Sequence, residues 1–319
     1  MHLQIFNLDE SLPRQTSLRD VAPFESVKSF DLRDLGPRLR LWCRAATIAR
    51  LQARLDVESA KPLDTITMLG SGDFHHLAAV LIERAARHSP RPFTVVHIDN
   101  HPDWVRLAPR WHCGSWINRV IEIPSVAKVI TLGVCSDDLV RPDLKGGNLP
   151  ALSRGRIALF PWSRPPSRTW ARIDDGAGHR YENGWIVWDN LAEGAFETHL
   201  TTIAAQIETA DVWITIDKDV LPEEEALSNW DQGNMPLARV LETLRFIGGR
   251  KRLIGADICG EFSPIAHSNW LKRFEAARDQ PTRDASAPAL AGNERVNALL
   301  LRALAESATH NDRRGQGAA

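Results

Sequence analysis

Carboxylates and imidazoles gather at three places in this sequence, each directly after a run of apolar, mostly β-branched residues. The first is Val95-Val96-His97-Ile98-Asp99-Asn100-His101-Pro102-Asp103-Trp104. Alternate residues of a strand share a face, so Asp99, His101 and Asp103 can converge. Fully extended, Asp99 and Asp103 would stand about 13 Å apart at roughly 3.3 Å per residue. That is too far for two short carboxylates to hold one ion, so the strand must end near Asp99 and curl, with Pro102 as the agent of the turn. The second place is Trp213-Ile214-Thr215-Ile216-Asp217-Lys218-Asp219. Here Asp217 and Asp219 face the same way about 7 Å apart at the backbone, a spacing that suits carboxylates straddling two ions about 3.5–4 Å apart. The third is Leu69-Gly70-Ser71-Gly72-Asp73-Phe74-His75-His76-Leu77, where a strand runs through glycines into a helix start and one histidine can reach the same crevice. Hard oxygen donors with imidazole and no cysteine suit Mn²⁺, and Zn²⁺, Fe²⁺ or Co²⁺ less specifically. Because carboxylates outnumber histidines, two bridged ions fit better than a lone zinc.

The elements that must position these groups follow from the apolar periodicity. Candidate strands are 2–6, 65–69, 93–98, 128–132, 156–160, 185–188, 212–216 and 252–256, several of them continuous apolar runs of the kind covered on both faces. Helical spacing marks 39–55, 76–88, 196–207, 237–246 and 293–304. Strands alternating with helices predict right-handed crossovers and a mainly parallel sheet, and such sheets hold ligands at the C-terminal ends of their strands. Residues 140–184, with Gly146-Gly147, Pro165-Pro166 and Gly176-Ala177-Gly178, read as surface excursions around one or two strands. The expectation is a single α/β unit over residues 1–306, followed by a polar, disordered tail from Ser307.

Composition narrows the class. The chain has 319 residues, 43% hydrophobic and 25% charged, with a formal net charge of −1. That balance offers no electrostatic footprint for nucleic acid or an anionic membrane, and no apolar run approaches the roughly 18 residues of a membrane span. The start, MHLQIFNLDESL, lacks the features of a signal peptide. The four cysteines stand far apart with no CxxC pair, as expected of reduced thiols in a cytoplasmic protein.

In order, the motifs are Ser71-Gly72-Asp73-Phe74-His75-His76, Asp99-Asn100-His101-Pro102-Asp103, His112-Cys113-Gly114, Asp217-Lys218-Asp219 and Asp257-Ile258-Cys259-Gly260-Glu261-Phe262-Ser263-Pro264. This series resembles the ureohydrolase (arginase/agmatinase) superfamily over roughly residues 64 to 265. The resemblance implies a three-layer α/β/α sandwich with a mostly parallel sheet of about eight strands. It implies two Mn²⁺ ions. One would be held by His75 (or its neighbour His76), Asp99, Asp103 and Asp217, and the other by Asp99, His101, Asp217 and Asp219. It further implies His112 as the proton shuttle, Asp219 orienting a metal-bridging hydroxide, and Glu261 pairing with a guanidinium. The reaction would cleave a C–N bond of a small guanidino or formimidoyl compound, possession of which needs no nucleic-acid or membrane partner; a homo-oligomer is allowed for. The chain departs from the family pattern in three ways: Phe74 precedes the histidine, Val220-Leu221-Pro222-Glu223 replaces Gly-Leu-Asp-Pro, and Gly260 is inserted before Glu261. No match is found for the residues with which arginases hold an amino-acid head group.

Nearby side chains extend the candidate site. Trp104, Trp111, Trp116 and Trp230 fall close to the motifs, and tryptophan faces attract cations. Arg106 and Arg110 could pair with a substrate carboxylate. Two other readings compete: a deacetylase-like metal amidohydrolase, weakened by the single tyrosine, Tyr181, and a non-catalytic protein retaining a metal site.

Overall fold

The structure, a computed structural model, describes residues 1–316 apart from 23, 59, 107–110, 265, 266, 268, 284 and 285. Its strands are β1 (His2–Asn7), β2 (Val27–Asp31), β3 (Thr65–Met68), β4 (Phe93–Ile98), β5 (Val126–Leu132) and β6 (Ile157–Phe160). They continue with β7 (Ser167–Arg168), β8 (His179–Glu182), β9 (Trp185–Trp188), β10 (Asp211–Asp217) and β11 (Arg252–Cys259). The helices are α1 (Gly36–Leu39), α2 (Ala45–Val57), α3 (Leu77–His88), α4 (Ile117–Val120), α5 (Leu149–Ser153), α6 (Phe196–Gln206), α7 (Leu237–Gly248), α8 (Trp270–Asp279) and α9 (Ala287–Gln316).

An eight-stranded sheet runs in the order β2-β1-β3-β11-β10-β4-β5-β6, and every pairing within it is parallel. Parallel strands need both faces covered. Alternate residues supply two apolar layers: Phe93 and Val95 of β4 pack with α2, α3, α4 and α5, while Val96 and Ile98 pack with α6, α7 and α9. This is the expected three-layer α/β/α sandwich. No helix among the described residues is long and apolar enough to cross a membrane.

Three element assignments need correction. Residues 185–188 do form a strand, but β9 is the middle of a separate antiparallel sheet, β7-β9-β8. The eighth strand of the main sheet is instead β2, an edge strand whose residues are all exposed except Phe30, so it lacks the apolar run that marks its neighbours. The helix expected over 39–55 is split into α1 and α2, because Trp42 leaves the helical path to bridge His112. Beyond Ser307 the backbone stays helical to Gln316. Ser307 itself is buried, its hydroxyl donating to the carbonyls of Ala303 (2.8 Å) and Leu244 (3.3 Å), which seats α9 on α7.

Candidate metal centre

The crevice forms where β3, β11, β10 and β4 lie side by side and end together. From β3 the chain turns through Gly70, at φ +82°, into the segment carrying His75. β4 delivers Asp99 and then curls as expected: Asp103 sits at φ +46°, a left-handed conformation uncommon for a residue with a side chain. The turn folds Asp103 back beside Asp99 instead of leaving the two an extended strand apart. β10 ends at Asp217, whose carboxylate accepts the backbone N–H of Asp219 at 3.0 Å. Two glycines make room for it. A Cβ on Gly72 would fall 2.6 Å from Asp217 Oδ2, and one on Gly260 would fall 2.4 Å from Oδ1.

The donors expected from the sequence converge. Nδ1 of His75 lies 3.0 Å from Asp99 Oδ2, 3.2 Å from Asp103 Oδ2 and 3.6 Å from Asp217 Oδ2. Nδ1 of His101 lies 3.0 Å from Asp219 Oδ2 and 3.6 Å from Asp99 Oδ1. His75, not His76, turns into the cluster; His76 is buried beside the Cys43 thiol, 3.7 Å away.

The neighbours of His75 decide which nitrogen is free. Thr215 Oγ1 stands 2.9 Å from His75 Nε2 and donates its own proton to Asp257 Oδ1 at 2.7 Å. Thr215 must therefore accept from Nε2–H, which leaves Nδ1 as the nitrogen that can give up its proton to a metal ion. That Nδ1 is buried, stands among three carboxylates and makes no hydrogen bond to any of them. An imidazole nitrogen among three carboxylates needs a positive charge between them, supplied by a proton or by a metal ion, and with four such donors converging the set fits a divalent metal. A second layer steadies the carboxylates: His97 Nε2 lies 2.8 Å from Asp99 Oδ2, Trp116 Nε1 donates to Asp103 Oδ2 (2.5 Å), the Cys259 thiol donates to Asp217 Oδ2 (3.1 Å), and Asp231 Oδ1 is 2.8 Å from His101 Nε2.

Charge shows the same demand. Burial, then the Asp99 charge, pushes Asp217 up to about 6. Burial and the neighbouring carboxylates raise Asp103 and Asp219 too. Asp99 moves the other way: burial opposes its ionisation, but the His97, His101 and His75 imidazoles outweigh that and hold it well below the usual carboxylate range. The group cannot be fully ionised without cations to balance it.

Above the cluster lies a cleft of about 480 Å³, lined by the donors together with Trp230, Asp231, His112, Glu275, Arg278, Asp279 and Lys145. His112 accepts the Gly114 N–H on Nδ1 at 2.9 Å and pairs through Nε2 with Glu275. Glu275 also accepts the Trp42 indole N–H at 2.9 Å. Trp230 sets its ring edge-on to that of His101, centroids 5.8 Å apart.

Other expected site residues lie elsewhere. Glu261 is 2% exposed and outside the cleft lining. It pairs with the fully buried Lys218 and accepts from Gln15 (2.9 Å), Asn293 (3.2 Å) and Asn297 (2.5 Å). Gly260, at φ +88°, uses the extra residue to turn the glutamate away from the metal side. Trp104 is buried in the apolar layer under the sheet, and Arg106 lines a separate groove with Asn118 and Glu122. Arg110 lies outside the described residues. Lys145 and Arg278 are the cleft's basic side chains, each paired with an aspartate, Asp138 and Asp279. Sequence reasoning missed Glu275 because α8 was not anticipated, and it missed Thr215 and His97. For those two a signal existed: each lies two residues before a strand-end aspartate of the cluster, hence on the same face.

No family model matches the chain. An uncharacterized protein of Thermotoga maritima is 27% identical over 200 residues, 63% of this chain and 59% of that protein, so the match spans less than two thirds of the relative's length. Among solved structures, arginase from Entamoeba histolytica superposes with a TM-score of 0.60 at 13% identity, covering 95% of this chain and 97% of that one. Proclavaminate amidino hydrolase from Streptomyces clavuligerus gives 0.59 at 15% identity, covering 97% and 91%. Formimidoylglutamase from Bacillus subtilis gives 0.54 at 14%, covering 95% and 87%. With its parallel eight-stranded sheet and its donors gathered at the strand ends, the chain has the fold of the ureohydrolase (arginase/agmatinase) superfamily.

Proposed function

We propose that this protein is a binuclear metal hydrolase cleaving a C–N bond in a small guanidino or formimidoyl compound. The observation that carries this reading is the orphaned Nδ1 of His75, its tautomer set by Thr215, among Asp99, Asp103 and Asp217. His75, Asp99, Asp103 and Asp217 would hold one ion, and Asp99, His101, Asp217 and Asp219 the other, with Mn²⁺ favoured by the oxygen-rich set. Such a pair supplies a water acidified toward neutral pH and a positive field for charge developing in the transition state.

The chain's own residues would do the rest. Asp219 is placed to accept a proton from the attacking water. The cleft lining is rich in carboxylates, which favours a cationic substrate. Among these, Asp138 and Asp279 are ion-paired with a lysine or arginine, whereas Glu275, among the described residues, hydrogen-bonds His112 and the Trp42 indole. Glu275 is therefore the better counter-ion for a guanidinium, in place of the withdrawn Glu261. With Nδ1 accepting from Gly114, His112 keeps its one proton on Nε2 toward Glu275 and orients that carboxylate in the cleft; the proton for the departing amine would be the one Asp219 takes from the attacking water. The deacetylase-like alternative wants a phenol near the metal, but Tyr181 is on β8 and not in the cleft lining. The cysteines described carry no disulfide, which supports a reducing, cytoplasmic setting; a homo-oligomer remains part of the proposal.

The test is a product-release assay on Mn²⁺-loaded protein with arginine, agmatine, guanidinobutyrate, guanidinopropionate and formiminoglutamate, following urea or formamide. Turnover of one of these, abolished by Asp219→Asn and weakened in KM by Glu275→Gln, is the expected result. Two bound ions with no product from any of them would favour a non-catalytic role instead.

A further inference from the structure

Helix α8 stands between two cavities of opposite charge. Its Glu275, Arg278 and Asp279 face the acidic cleft. Behind it, Arg273, Ala276, Ala277 and Gln280 line a second cavity of about 450 Å³, closed by His267 and Arg283 among others. Among the described residues that line this cavity there is no carboxylate, and the ionisable ones are Arg273, Arg283 and His267.

Several of its polar atoms lack partners. Nε2 of His267, Nε of Arg283 and Oε1 of Gln280 are all buried and unbonded, although His267 is only 9% exposed. Buried polar atoms in native proteins are normally satisfied, and a cluster of exceptions marks a place where something else binds. The remaining Arg283 nitrogens are engaged, one pairing with Glu223 and one donating to the Trp230 carbonyl at 3.1 Å. That fixes the guanidinium with its Nε edge unused. Arg273 makes no side-chain hydrogen bond or ion pair among the described residues. The unpaired Arg273, the free Nε edge of Arg283 (whose far end meets Glu223) and the His267 imidazole, over an apolar floor from Ala276 and Ala277, make a receptor for an anion.

We propose that this cavity binds a small oxyanion-bearing molecule through His267, Arg273 and Arg283. The site is linked to the cleft through Trp230. Gln280 donates to Asp73 Oδ1 at 2.6 Å, the oxygen that also accepts the Trp230 indole N–H at 3.0 Å, while Arg283 holds the Trp230 carbonyl. The proposal does not depend on the reaction assigned to the cleft.

The test is calorimetric titration of the full chain with inorganic phosphate and, separately, with succinate, at ionic strength held constant with NaCl. Saturable one-to-one binding of at least one probe is expected. Phosphate alone identifies a phosphorylated ligand, and succinate alone a carboxylate. Arg273→Gln, an exposed position whose loss should leave the melting point unchanged, is expected to weaken that binding about tenfold or more, the loss of one charge-assisted contact. No saturable binding of either probe, or an Arg273→Gln variant that binds as tightly as the parent, overturns the proposal; the second result would move the anion to the metal cleft.

Discussion

His75 shows how much of a candidate metal site lies outside the side chains that would hold the ion. An imidazole can present either nitrogen, and the choice is made here by a threonine one strand away. Thr215 accepts from Nε2–H because its own proton is committed to Asp257, itself held by the Trp213 indole at 2.7 Å. Thr215→Val keeps the shape of the side chain and removes both bonds, so His75 loses the partner that selects its tautomer. Outer-layer substitutions of this kind weaken metal binding about 10–100-fold. The expected outcome for Thr215→Val is a drop of that size in Mn²⁺ affinity by equilibrium dialysis, with Thr215→Ser restoring most of it. Unchanged affinity would mean that Nδ1 does not meet a metal. The ligands themselves were legible because acids at the end of an apolar strand are conspicuous. Thr215 was not, because a threonine inside a strand is ordinary and its role depends on a histidine about 140 residues earlier.

At the scale of elements, most of the main sheet was readable because parallel strands buried on both faces are written as apolar runs. What escaped lacks such a run. β2 exposes nearly every residue. α8 buries only Lys272 and Ala276 and leaves Trp270 and Phe274 exposed, so its apolar residues trace no stripe toward the core. Yet α8 carries Glu275 into the cleft. The structure places Glu261 outside the cleft lining for a related reason: motif order is visible in a sequence, but the direction in which a one-residue insertion turns a side chain is not. Glu261 instead ties elements together. It receives Lys218 from the turn between Asp217 and Asp219, and Asn293 and Asn297 from α9. Removing one partner of a buried pair strands the other charge, at a cost of about 3–5 kcal/mol, whereas replacing both with apolar residues is often neutral. Glu261→Gln is therefore expected to destabilise by that amount in urea titrations, and Lys218→Met with Glu261→Leu to recover most of it. A mild Glu261→Gln phenotype with loss of substrate binding would return the residue to the role that the motif implied.

For the molecule as a whole, the candidate metal centre is a store of unfavourable charge at the meeting point of four strands, and stability should report on it. Without metal, Asp217 titrates at about 6 when folded, against an ordinary value of 3.8, because burial and then the charge of Asp99 disfavour its anion. The folded state thus holds this proton more tightly than the unfolded chain does. Its contribution is present in full below about pH 4 and is lost as the pH rises through about 6. Asp103 and Asp219 shift in the same direction, as do His75 and His101, where the surrounding anions outweigh burial; Asp99 shifts in the opposite one. The metal-free protein is accordingly expected to melt at a lower temperature at pH 7.5 than at pH 5. Mn²⁺ should reverse the order, since cations displace the protons and bind only the folded state, adding about 4 kcal/mol at a thousandfold excess over Kd. Melting curves at the two pH values, with EDTA and with Mn²⁺, measure all four corners of this cycle. If Mn²⁺ left the melting point at pH 7.5 where EDTA puts it, the carboxylates would be neutralised by protons and hydrogen bonds alone, and the strand ends would be a structural knot with no metal in it.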